Sequence, residues 1–261
     1  MNWGLRNRLD RVLPGLPKGT GSVMFAIDHG YFMGPTSGLE NPRETIVPLL
    51  PHADSLMLSR GILQNSIPKR TNIPIVLRVS SGNSILNEDM SNEKLCVSIE
   101  DAIRLNASAV AFSIYIGGAY EHQTIVEFSK LVNDAHRYGL PVLAVTAVGK
   151  DMNRDVRYLS LASRIAVELG ADIVKTYYCD GFNELIAACP VPVVIAGGKK
   201  VPELDALEFA HKAISDGASG VDMGRNIFQS ESPENMIQAV RSVVVNGEKP
   251  NKAFEQYKNS L

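Results

Sequence analysis

The sequence has no excess of either charge: 26 Lys and Arg stand against 28 Asp and Glu, a net charge of −2. That balance argues against a nucleic-acid footprint. It also means that steering of an anionic ligand has to come from a local cluster of cations. Cysteine is scarce. Cys96, Cys179 and Cys189 form no CxxC pair, which argues against a disulfide framework or a zinc knuckle and reads as idle thiols in a reducing compartment. No HxH, HExxH or His/carboxylate set has metal-ligand spacing, so no metal is expected. No run reaches the roughly 18–20 apolar residues of a membrane span. The opening Met1-Asn2-Trp3-Gly4-Leu5-Arg6-Asn7-Arg8 lacks the apolar core of a signal peptide. The expectation is a cytoplasmic protein with no membrane partner.

What is present is a chain of 261 residues, 45% hydrophobic and 21% charged, close to the roughly 250 residues of one eight-fold α/β barrel. Short β-branched runs alternate with helix-length amphipathic segments. The expected strands are Val23–Ile27, Ser55–Leu58, Ile75–Arg78, Ala109–Ile114, Val142–Thr146, Ile173–Lys175, Val193–Ala196 and Gly220–Met223. Most are continuously apolar, as strands buried on both faces should be. Helical patterns fall over Glu121–Tyr138, Arg157–Leu169, Glu203–Asp216 and Pro233–Val245, and the weakest unit is the short segment Arg60–Arg70.

Punctuation agrees with this division. Gly139-Leu140-Pro141, Gly170-Ala171-Asp172 and Asp216-Gly217-Ala218 each end a helix and feed a strand, and Ser232-Pro233-Glu234 reads as an N-cap followed by Pro at the first helical position. No linker divides the chain, so the expectation is one domain over residues 1–261, with a short N-terminal extension over about residues 1–20. A doubly wound sheet would also alternate strand and helix, but it usually has fewer strands and a Gly-rich first turn. Here the first strand runs into Asp28-His29-Gly30-Tyr31. The fold class is therefore a single (β/α)8 TIM barrel.

In such a barrel, chemistry belongs at the C-terminal ends of the strands. Those ends carry Asp28 and His29, Ser59-Arg60, Arg78 and Ser80, Tyr115, Thr146 with Gly149-Lys150-Asp151, Lys175 and Tyr177, Gly197-Gly198-Lys199-Lys200, and Gly224-Arg225-Asn226. Lys175 is the most informative, because the apolar strand Ile173-Val174-Lys175 has little reason to carry an ammonium. Burial and neighbouring cations favour a neutral amine, which attacks a ketone or aldehyde to give an iminium electron sink. Asp28 is the leading companion for moving protons, with His29 beside it. The loops holding Gly197-Gly198-Lys199 and Gly224-Arg225 follow the last two strands, where many barrels hold a phosphate. Glycine lets backbone N–H groups approach the anion, and Lys199 or Arg225 can supply counter-charge.

Together these motifs resemble the class I aldolase family that includes the deoxyribose-phosphate and archaeal-type fructose-bisphosphate aldolases. The matching stretches begin at Phe25-Ala26-Ile27-Asp28-His29-Gly30-Tyr31-Phe32 and Arg60-Gly61-Ile62-Leu63. They continue through Tyr120-Glu121-His122-Gln123, Val148-Gly149-Lys150-Asp151-Met152, Ile173-Val174-Lys175-Thr176-Tyr177-Tyr178, Ile195-Ala196-Gly197-Gly198-Lys199-Lys200 and Ser219–Gln229. The resemblance implies that Lys175 forms the Schiff base, that Asp28 and His29 flank the reacting carbons, and that no cofactor is tightly bound. The fructose-bisphosphate aldolases place a tyrosine at the end of strand five, followed by Pro-Arg-Gly. This sequence has Val145-Thr146-Ala147-Val148-Gly149-Lys150 instead, a pattern shared with the thiolase-like members of the family. That likeness implies transfer of the acetyl group of a phosphorylated dione to coenzyme A as co-substrate, giving acetyl-CoA and dihydroxyacetone phosphate. The alternative is metal-independent aldol cleavage of another phosphorylated ketose or keto-acid. Relatives of this kind assemble as homo-oligomers, decamers of stacked rings.

Overall fold

The computed structural model describes residues 2–148 and 153–260. Eight parallel strands close into one barrel. They are β1 (Ser22–Ala26), β2 (Ser55–Ser59), β3 (Ile75–Arg78), β4 (Ala109–Ile116), β5 (Val142–Val148), β6 (Ile173–Thr176), β7 (Val193–Ala196) and β8 (Gly220–Met223). Each strand pairs with its neighbours in sequence, and β8 closes on β1 with Met24 opposite Asp222. The expected (β/α)8 barrel is the fold observed, and all eight expected strands are present. The largest differences lie in β4 and β5, which each run two residues past the expected end.

The strand period of two decides what the barrel holds. Met24, Met57, Val76, Ala111, Leu143, Ile173 and Val194 point inward and form one buried cluster. Their sequence neighbours, such as Val23, Phe25, Leu58, Leu77, Phe112 and Val174, point outward into the larger cluster shared with the helices. One step above the inner layer, the same parity turns Arg78, Ser113, Lys175 and Asp222 into the C-terminal mouth. A strand continuously apolar in sequence thus becomes polar at one end of one face.

The main helices follow the expected segments: Glu121–Arg137, Val156–Glu168, Glu203–Ser215 and Pro233–Asn246. The weak unit after β2 is a two-turn helix, Arg60–Ser66. The segment expected as an extension contains the helix Trp3–Val12, capped by the Asn2 side chain, which accepts from the Leu5 N–H at 2.8 Å. Its Leu9 and Val12, with Leu13, pack onto the inner cluster and stopper the N-terminal end of the barrel. Sequence reading did not foresee the short antiparallel pair Ser80–Ser81 with Lys94–Leu95, or the terminal helix Pro250–Asn259. No helix among the described residues is long and apolar enough to cross a membrane.

Candidate active site

A cavity of about 150 Å³ opens at the C-terminal mouth, lined by residues from seven of the eight strand ends, all but β2. Lys175, 8% exposed, rises from β6 into this space. Its Nζ lies 2.7 Å from Asp222 Oδ2 on β8 and 3.7 Å from Met57 Sδ on β2. Among the described residues, no other donor reaches the Asp222 carboxylate. The nearest charge to the amine is therefore an acid, where cations were expected. Burial pushes the Asp222 carboxyl up; Lys175 pulls it back, and it remains above the usual carboxylate range.

Asp28 sits in the opposite electrostatic setting. Arg78 donates from both Nε and Nη2 to Asp28 Oδ2, each at 2.9 Å. Burial works against the Asp28 charge, but Arg78, Lys175 and His29 outweigh it and hold the carboxyl below its usual value. The third nitrogen of Arg78 donates to Ser113 Oγ at 2.7 Å and to Ser80 Oγ at 3.3 Å. Ser80 Oγ donates to Glu93 Oε2 at 2.6 Å, and the phenols of Tyr31 and Tyr115 donate to Glu93 Oε1 at 2.6 and 3.1 Å. Each of these buried groups has a partner, so the arc from β1 to β4 is a fixed lattice.

His29 also lines the cavity. Burial lowers its pKa to about 4, against the pull of Asp28, so the ring is neutral at physiological pH. It meets Phe228 edge to face at 5.7 Å. Its position fixes Gly224, where an added Cβ would lie 2.2 Å from the Ala26 carbonyl oxygen and 2.5 Å from His29 Cε1.

The other side of the mouth carries the glycine loops. Gly197, Gly198, Gly224 and Arg225 all line the cavity, and a short helix, Arg225–Phe228, starts one residue after β8, with Gly224 between them. Gly198 has φ +70°, which L side chains rarely adopt. Asn226 ties the loops together: its Nδ2 donates to the Gly197 carbonyl at 2.7 Å and its Oδ1 accepts from the Val201 N–H at 2.9 Å. Arg225 Nε is buried with no partner among the described residues, and burial lowers the pKa of this guanidinium. Lys199 is exposed and does not line the cavity. Arg60 lies on the outer surface, paired with Asp101. Gly149, Lys150 and Asp151 lie outside the described residues. No group of three His, Cys, Asp or Glu among the described residues could hold a metal.

Sequence reading missed several members of this site, Asp222, Tyr31, Glu93 and Ser113 among them. Asp222 carried the same signal as Lys175, a lone charge in an apolar strand. Tyr31 follows His29 after a single glycine, Gly30. Glu93 had no signal, because it reaches the mouth from an irregular loop.

A parallel barrel with a buried lysine and a carboxylate pair at its C-terminal mouth defines an enzyme able to form an imine with a carbonyl substrate. The chain belongs to the DeoC/LacD family of aldolases, whose pattern matches residues 22–230. It is 56% identical over 258 residues to the 3-hydroxy-5-phosphonooxypentane-2,4-dione thiolase of Photorhabdus laumondii, covering 98% of this chain and 88% of that one. The thiolase of the same name from Escherichia coli is 55% identical over the same shares. Among solved structures, an archaeal fructose 1,6-bisphosphate aldolase superposes with a TM-score of 0.82 at 29% identity, covering 92% of this chain and 98% of that one. A second archaeal fructose-1,6-bisphosphate aldolase has its catalytic Lys covalently bound to the carbinolamine intermediate of its substrate. It has a TM-score of 0.82 at 27% identity, covering 92% of this chain and 99% of that one.

Proposed function

We propose that the protein is a Schiff-base-forming transferase that moves the acetyl group of 3-hydroxy-5-phosphonooxypentane-2,4-dione to coenzyme A, giving acetyl-CoA and dihydroxyacetone phosphate. The observation that carries this reading is Lys175 in a cavity that Gly197, Gly198, Gly224 and Arg225 also line, in a chain 56% identical to a thiolase of that name. The reaction belongs to the breakdown of phosphorylated autoinducer-2.

The chemistry follows from the bond that must break. Lys175 condenses with the C4 carbonyl of the dione, and the iminium withdraws electrons from C3. The thiolate of coenzyme A adds to C2, and the C2–C3 bond breaks with its electron pair passing into the iminium as an enamine. A proton delivered to C3 and hydrolysis of the imine then release dihydroxyacetone phosphate. Asp28 and His29 flank these carbons. The neutral ring of His29 can hold or pass the proton, while Asp28, tied to Arg78, supplies a fixed negative potential. Gly197, Gly198 and Gly224 admit the phosphate to backbone N–H groups beside Arg225, with Lys199 on the outer side of the loop. The imine supplies the electron sink, so no metal is required. Coenzyme A acts as co-substrate, the protein works in the cytoplasm, and it assembles as a homo-oligomer, a decamer by resemblance.

The second reading, aldol cleavage of another phosphorylated ketose or keto-acid, rests on the archaeal aldolase likeness. Against it, the described part of β5 offers Val145, Thr146 and Ala147 to the cavity and no phenol. Acetyl-CoA is expected from the dione only when coenzyme A is present, and borohydride should trap the substrate on wild-type protein but not on Lys175→Ala. Cleavage of fructose 1,6-bisphosphate at a comparable rate without coenzyme A would sink the thiolase reading. Equal labelling of the Ala variant would remove Lys175.

A further inference from the structure

Two carboxylates share the mouth of the barrel, and their surroundings drive them toward opposite protonation states. Asp28 takes two nitrogens of Arg78 at 2.9 Å and is locked as an anion. Asp222, 1% exposed on β8, has Nζ of Lys175 at 2.7 Å and no other donor among the described residues. A buried carboxylate with one partner is a strong base toward that partner, because passing one proton removes both charges from a poorly solvated site. Such a divergence between neighbouring acids marks which of them moves protons.

We propose that Asp222 is a further catalytic residue, the carboxylate that takes a proton from Lys175 Nζ before attack and gives it to the departing hydroxyl as the imine forms. This rests on Lys175 being the Schiff-base residue. First, an Nζ–H bond breaks and an Oδ2–H bond forms, turning the ion pair into a neutral amine and a neutral acid. The amine lone pair then bonds to the carbonyl carbon while the carbonyl π pair moves to oxygen. That oxygen takes a proton from the new ammonium nitrogen, giving a neutral carbinolamine. Asp222 protonates the hydroxyl, which leaves as water with its bonding pair, and the nitrogen lone pair closes the C=N bond. The carboxylate again faces a cation at Nζ, so it begins and ends the cycle paired.

The groups facing the pair support this division of labour. Asp28, His29 and Tyr31 come from β1 and the loop after it, Arg78 from β3, Tyr115 from β4, Tyr177 from the end of β6 and Arg225 from the loop after β8, while β5 and β7 present Val145, Thr146, Ala147 and Ala196. Burial drives Asp222 toward protonation, and the Asp28 charge adds to that push. Asp222 therefore serves the nitrogen, leaving the carbons of the substrate to the β1 residues.

The test is the rate at which dihydroxyacetone phosphate forms a borohydride-trappable imine, followed by rapid quench and mass spectrometry on the full-length protein. Wild type should label at Lys175 and Lys175→Ala should not. Absence of that contrast would overturn the Schiff-base reading itself. With the contrast in hand, Asp222→Asn, checked for an unchanged melting temperature, should label roughly 10²-fold more slowly or worse at pH 7. If Asp222 only balances charge, its loss favours the neutral amine and labelling stays equal or speeds up, which would overturn the proposal. Should Asp222→Asn fail to fold, the wild-type pH profile decides. Internal proton transfer predicts a flat trapping rate between about pH 6 and pH 9, and a tenfold rise per pH unit would refute it.

Discussion

Arg225 brings a guanidinium to the cavity with a buried Nε that nothing in the described chain satisfies, and a buried unpaired donor costs about 1–3 kcal/mol. A phosphate oxygen would relieve that cost. Arg225→Ala should therefore weaken dihydroxyacetone phosphate by roughly tenfold or more while barely altering dihydroxyacetone, as read by competition in the trapping assay. Equal loss for both ligands would take Arg225 out of the phosphate site. His29 offers a pH signature. Its folded pKa of about 4 lies below the ordinary 6.5, so the unfolded chain binds a proton that the folded one refuses. The resulting stability is fully present above about pH 6.5 and fades toward pH 4, by about 3 kcal/mol at most. Asp28 is depressed as well, and its contribution fades only as pH falls below the usual carboxylate range, so the two windows separate. In urea titrations, His29→Asn should flatten the decline between about pH 6.5 and pH 4. An unaltered decline would show that His29 is not its source. At this scale the sequence was half legible. Lys175 stood out because an ammonium has no packing reason to interrupt Ile173-Val174. Asp222 interrupts Gly220-Val221 in the same way and could have been found by the same logic.

Elements were more legible than side chains. Parallel strands covered on both faces read as continuous apolar runs, and glycine or proline flanks most of them on one side or the other, as at Pro74, Pro192, Gly197 and Gly224, so β3, β7 and β8 match the expected bounds residue for residue. The loop that carries Glu93 was illegible, because its meaning lies in partners 62 and 22 residues distant, Tyr31 and Tyr115. The helix Trp3–Val12 fell between these cases. Its Leu5, Leu9 and Val12 recur at helical spacing, but nothing in that spacing says that the stripe fits the open end of a barrel. Leu9 is 2% exposed within the inner cluster. Leu9→Ala should cost about 2–5 kcal/mol in chemical denaturation. A loss below about 1 kcal/mol would mean that the helix rests on the barrel without sealing it. Turnover should change little at temperatures where the variant is folded, since stopper and mouth lie at opposite ends of the strands.

For the whole molecule, length and alternation were enough to indicate the barrel, because few architectures accommodate eight buried strands in 261 residues. The contrast between its two sides was beyond them, since it arises only when the strands close. From β1 to β4 the mouth is knit by Asp28, Arg78, Ser113, Ser80 and Glu93, each tied to the next. From β6 to β8 it offers Lys175, Asp222 and glycine-rich loops with room around Gly198. The two arcs differ in evolvability. A change in the knit arc strands at least one buried partner and has to be answered by a second change elsewhere. A change in the loops after β7 reshapes the chamber without touching the lattice. Laboratory selection for new phosphorylated ketones should accumulate single-step solutions on the loop side, while the knit side is inherited as a block.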